Sequence, residues 1–223
     1  MSNEEQARKI FLLGTIVLVA LIIGGIVWAI LAGPSPDTGN GAAESNLSFN
    51  DDNDPAVGPG EAKAVVRMFG DFQCPACRVA EPGVEYAMKT YSNRVRFVWD
   101  DYPLTTVHPN ALPAAIAARC AEEQGKFWEF HDQLYSSQPE WEGLAATTDT
   151  FTKYAGLLGL KTDAFTSCIA MRKYLNKIED DQAEGNSNRV QATPTFFIGN
   201  KRFEGGLSNA QWDQEIQGLL KNS

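Results

Sequence analysis

The stretch GDFQCPACRVAEPG, residues 70–83, sets two cysteines two residues apart where an apolar run meets a segment of helical length. The run before it, AVVRMFG (64–70), is short, rich in β-branched residues and closed by glycine, the pattern of a buried strand. A cysteine that opens a helix faces unsatisfied N–H groups and the positive end of the macrodipole, both of which favour thiolate over thiol. Cys-x-x-Cys pairs use this placement to bring the first cysteine's pKa well below its ordinary value of about 8.5. Cys74 holds that place. Pro75 suits the first helical turn, where its missing N–H costs little, and Ala76 completes the CPAC loop. Cys77, one turn on, is expected to be the more buried partner, and Arg78 adds positive potential if it shares the face of Cys74. Taken alone, the pair admits three uses: a metal clamp, a structural disulfide or a redox centre.

The metal reading is weak. A structural zinc site takes four ligands, usually from two such pairs. Cys120 and Cys168 belong to no CxxC, and His108 and His131 have no ligand-like spacing to the pair. No metal or other cofactor is expected. A purely structural bridge across four residues would constrain the unfolded chain little.

The rest of the chain sets the context. Residues 10–32 are free of charge and, at helical rise, span about 34 Å, enough for a hydrocarbon core. Arg8 and Lys9 precede them and Asp37, Asp51, Asp52 and Asp54 follow, so the expectation is an uncleaved single-pass anchor, with a cleaved signal peptide, whose apolar core would be shorter, as the competing reading. Residues 1–9 would then be cytoplasmic and the bulk of the chain outside. Residues 33–62 are rich in Gly, Pro, Ser, Asn and Asp and are expected to form mostly a flexible tether, with the domain itself at 63–223. The net charge of −9 and the lack of a basic run beyond residue 40 argue against nucleic-acid binding.

Beyond the first strand, RVRFVW (94–99) alternates as a second one. Helical spacing follows over 110–127, 127–136, 151–158, 162–170 and 172–185. A hairpin is expected over 195–199 and 201–205 around Asn200, and a last amphipathic helix over 208–220. Thr193-Pro194 stands directly before that hairpin. A proline there is a strand-boundary marker or a cis bond held for a purpose.

Four motifs in this order resemble the thioredoxin superfamily, and within it the exported DsbA-like thiol oxidases with their BdbD-like branch. They are DDNDPAVGPGEAKAVVRMFGDFQCPAC (51–77), Pro82 five residues after Cys77, RCAEEQGKFWEFHDQLYSSQ (119–138) and ATPTFFIGNKRFEGG (192–206). The resemblance covers residues of about 50–220, with a family-like entry segment from about 47. It implies an α/β thioredoxin fold with a helical insertion at about 108–190. It also implies a cis Thr193-Pro194 beside Cys74, with the Thr193 backbone pairing with an extended substrate. The implied activity is disulfide formation in exported proteins by exchange at Cys74 and Cys77, with a quinone-linked membrane thiol oxidase as reoxidant. A reductase or isomerase of the same fold is the alternative, and a redox-inert peptide- or metal-binding module a further one.

Two positions depart from the pattern. The dipeptide between the cysteines is Pro-Ala, without the imidazole of the best-known oxidase, and Met68 stands where many relatives carry a buried acid. Outside the cytoplasm an even cysteine count favours pairing, so Cys120 and Cys168 are expected to form a structural disulfide. Two buried thiols acting as small hydrophobes are the alternative. His108 is expected to cap or pack, His131 to be a surface or half-buried residue, and Asp100 and Asp101 to be solvated.

Overall fold

The computed structural model describes residues 42–43, 46–50 and 54–221; the anchor expected at 10–32 lies outside them. No described helix is long and apolar enough to cross a membrane. The elements in chain order are β1 (Ala42–Ala43), β2 (Ala56–Val57), β3 (Ala64–Gly70), α1 (Pro75–Tyr91) and β4 (Val95–Asp101). Helices α2 (Ala111–Glu122), α3 (Phe127–Ser136), α4 (Gln138–Trp141), α5 (Thr148–Leu157), α6 (Thr162–Ala170) and α7 (Leu175–Ser187) follow. The chain closes with β5 (Thr195–Ile198), β6 (Lys201–Glu204) and α8 (Asn209–Lys221). The strands form one mixed sheet in the order β1-β6-β5-β3-β4-β2, in which β3 and β4 run parallel and the other neighbours antiparallel.

Strand β3 is central because both its faces are apolar enough to bury. Val66 and Met68 point into the main core with Phe97, Trp99 and Phe196, while Phe69 joins Phe197, Tyr102 and Val190 on the opposite face. Gly70 ends the strand under the Trp99 ring: a Cβ there would stand 2.1 Å from a ring carbon. The β5–β6 turn is Gly199-Asn200, with Gly199 at φ +62 supplying the left-handed residue that a two-residue hairpin needs. Helices α2 to α7 form a single insertion between β4 and β5, and a disulfide joins Cys120 on α2 to Cys168 on α6.

Three sequence expectations change. Part of the stretch read as tether belongs to the domain. Ala56 and Val57 pair with Val98 and Phe97, Asp54 is buried, and Leu47 and Phe49 pack on the Phe69–Phe197 cluster. Asp100 and Asp101 are not solvated loop carboxylates; they end β4 inside the protein, facing Arg67 at 2.5 Å and Arg119 at 2.6 Å. His131 is buried, not superficial. In each case contacts with residues far away in sequence decide the placement, and composition does not reveal them.

Candidate active site

Cys74 is the N-cap of α1, at φ −69 and ψ 122, and Pro75 occupies the first turn as expected. The lead-in is held by Asp71, whose carboxylate accepts the N–H groups of Gln73 and Leu104, while its carbonyl accepts the Cys74 N–H at 3.0 Å. Pro75 and Ala76 are exposed, whereas Cys74 is 7 % and Cys77 1 % exposed. Both thiols are free. Pro82 lies inside α1, two turns beyond Cys74.

From the far end of the chain comes the second half of the site. The Thr193-Pro194 peptide is cis, and the Thr193 carbonyl accepts the Cys74 sulfur at 3.4 Å. Pro194, Cys77, Met68 and Trp99 line one small cavity beneath the loop. Sheet register explains the meeting: β5 pairs with β3, so the residues before Thr195 arrive where β3 runs out into the CPAC loop.

The two sulfurs ionise in opposite senses. The Cys77 thiol donating to Cys74 does most to bring the Cys74 pKa down to about 5; burial opposes it, and Thr193 and the backbone N–H groups of Cys77 and Ala76 assist. Among the described residues the Thr193 hydroxyl has no partner within ordinary hydrogen-bond distance, yet it favours the thiolate of both sulfurs. Burial pushes Cys77 well above its ordinary value, and the neighbouring Cys74 adds to the effect. Backbone N–H groups and a donor thiol therefore favour the Cys74 thiolate with no imidazole between the cysteines. Arg78 is exposed and lines a surface cleft with Glu81 and Asp132.

The insertion supplies a support that sequence reading missed. Gln138 of α4 donates to the carbonyls of Phe72 and Cys74 at 2.7 and 3.2 Å. Gln73 donates to the Glu142 carbonyl and accepts the Asn110 N–H. His108 faces the Asp71 carboxylate at 2.7 Å, and the Tyr135 hydroxyl donates to the Asp71 carbonyl. Isolated glutamines carry no sequence signature, so these contacts were not legible. Cys120 and Cys168 lie apart from this site, within the insertion.

Fold and site together define the class: a thioredoxin fold with a helical insertion, carrying a Cys-x-x-Cys dithiol at the start of α1 beside a cis proline. The thioredoxin family model matches residues 50–218, and the chain belongs to that family. Among solved structures, oxidised BdbD from Bacillus subtilis shares the fold at TM-score 0.70 and 23% identity, covering 82% of this chain and 100% of that one. A thioredoxin-like oxidoreductase from Silicibacter pomeroyi does so at TM-score 0.66 and 24% identity, over 81% and 100%. Wolbachia pipientis alpha-DsbA1 matches at TM-score 0.69 and 22% identity, over 79% and 95%. A curated relative, Na(+)/H(+) antiporter NhaA 3 of Salinispora tropica, is 38% identical over 165 residues, which are 74% of this chain and 24% of that protein. Antiporter NhaA 1 of Mycolicibacterium vanbaalenii is 30% identical over 206 residues, 92% of this chain and 32% of that one. The chain thus spans a quarter to a third of the length of these curated relatives.

Proposed function

We propose that this protein oxidises dithiols in exported proteins, working outside the cytoplasm from an anchor at residues 10–32. The observation that carries the reading is the asymmetry of the pair beside Pro194: an accessible-side sulfur with a pKa of about 5 and a buried one pushed upward. A substrate thiolate attacks Cys74 of the Cys74–Cys77 disulfide and expels Cys77. A second substrate thiolate attacks the mixed disulfide and expels Cys74. A stabilised Cys74 thiolate is a good leaving group and favours the reduced protein, so the protein takes electrons from its substrates. The groove over Thr193 and Pro194 receives the substrate segment. Electrons leave through a quinone-linked membrane thiol oxidase. The uncharged run at 10–32 supports the membrane location, as does the likeness to a portion of proteins named as antiporters.

Equilibration of the Cys74–Cys77 pair with glutathione tests the direction of electron flow. A potential well above about −200 mV supports the oxidase, while one near −270 mV, the thioredoxin range, replaces it with a reductase. Peptide oxidation by wild type and Cys74→Ser tests the site itself; equal activity in both ends the catalytic reading.

A further inference from the structure

Opening the Cys74–Cys77 disulfide expels the Cys77 sulfur as a thiolate inside the protein, where solvent does not reach it directly. Something must protonate it there, and the reverse step must take the proton back. The small cavity beside Cys77, about 10 Å3, has room for about one water. Glu81, one turn after Cys77 on α1, lines it together with Tyr135. On their other side the same two residues line a surface cleft of about 320 Å3 between α1 and α3. Tyr135 commits its hydroxyl to the Asp71 carbonyl, and burial holds it far above neutral pH. Glu81 keeps 22 % of its side-chain surface exposed, so its carboxyl stands between the buried thiol and bulk water.

A second observation aims at the same carboxyl. The His131 ring is held among Phe72, Trp99, Trp128 and Tyr135, with centroids 4.9–5.6 Å away. Its Nδ1 meets Asp132 at 2.9 Å, while its buried Nε2 has no hydrogen-bond partner among the described residues and points at Glu81 Oε1 from 3.8 Å. A buried imidazole nitrogen left without a partner calls for an explanation.

We propose that Glu81 gives and takes the proton of Cys77, that His131 positions its carboxyl, and that protons reach it through the α1–α3 cleft. The proposal rests on thiol–disulfide exchange at Cys74. A thiolate forms a bond to Cys74 Sγ, the Cys74–Cys77 bond breaks, and the electron pair leaves on Cys77. The Glu81 carboxyl protonates Cys77 across the one-water space, and the resulting carboxylate regains a proton from solvent through the cleft. In the reverse direction Cys77 gives its proton to the Glu81 carboxylate and attacks the mixed disulfide. The charged and titratable groups facing Glu81 are Arg78 and Glu85 from α1, and His131, Asp132 and Tyr135 from α3. Burial already holds Glu81 above the ordinary glutamate range, with His131 opposing.

The test mixes the full reduced chain with glutathione disulfide and quenches at intervals. Mixed disulfide at Cys74 and its resolution by Cys77 are then resolved by mass. In Glu81→Gln the resolution step is expected to fall roughly 100-fold and become proportional to hydroxide. Glu81→Asp restores part of the rate, and His131→Phe shifts the pH profile of resolution. As a check independent of variants, carbon-13 glutamate labelling of wild type should show one carboxyl whose pKa changes between oxidised and reduced protein. Resolution in Glu81→Gln within two-fold of wild type, with the same pH profile, overturns the proton path, as does the absence of such a carboxyl. No exchange in wild type overturns the catalytic reading instead, so the two failures are distinct.

Discussion

Cys74 and Cys77 sit on one helical turn and share a hydrogen bond, yet one sulfur is driven toward thiolate and the other away from it. The Cys77 thiol itself exerts the largest pull on Cys74. Cys77→Ala should therefore raise the Cys74 pKa from about 5 toward its ordinary value, read from thiolate absorbance or from the pH dependence of alkylation. The same shift makes a stability prediction. Because the folded pKa lies below the unfolded one, ionised Cys74 stabilises the reduced protein most above the unfolded value near 9. That stability is lost as pH falls through the folded value of about 5. The oxidised protein has no Cys74 thiol to titrate, so urea unfolding of the two forms should diverge as pH rises from 5. Parallel curves would contradict the assigned ionisation.

Among the elements, α2 and α6 are joined by Cys120–Cys168, which closes a loop of 48 residues' separation. In the chain-entropy picture such a bridge contributes about 4 kcal/mol. Cys120→Ala with Cys168→Ala should lower unfolding free energy by about that amount while leaving glutathione exchange at Cys74 in place. A loss of exchange together with stability would give the bridge a part in the site. The strong elements were legible before any coordinates: β3, α1, α3, α6 and the β5–β6 hairpin follow from periodicity, glycine and proline placement. The short ones were not. Helix α4 is four residues long and β2 only two, too brief for a period, and both are held by remote partners such as Cys74 and Val98. His131 reads as a surface or half-buried residue for the same reason: its polar type says nothing of the apolar rings that enclose it.

Across the whole molecule, sheet and insertion are joined by buried charge. Arg119 of α2 meets Asp101 of β4 and Asp181 of α7 at 2.6 Å each, and Asp54 before β2 at 3.3 Å. Arg67 of β3 meets Asp100 and Glu184, and Lys177 pairs with both Asp54 and Asp181. The carboxylates outnumber their cations, so burial is incompletely offset. It raises Asp54 and Asp100, and with help from Asp101 it lifts Asp181 to about 7 against the pull of Arg119. A carboxyl whose folded pKa is raised binds its proton more tightly in the native state. Its favourable share is complete below the unfolded value near 4 and is lost as pH rises through the folded one. The oxidised protein, in which Cys74 is silent, should therefore lose thermal stability between about pH 4 and 7, and Asp181→Asn should flatten that slope. Arg119→Met strips the cation from Asp54, Asp101, Asp181 and Glu122 at once and should cost about 3–5 kcal/mol, the toll of a broken buried pair. Its loss should shrink in Arg119→Met/Asp181→Asn, because one stranded charge is removed with its partner. Additive losses in the double variant would show that Arg119 acts through packing, and the charge network would then not be what holds the insertion to the sheet.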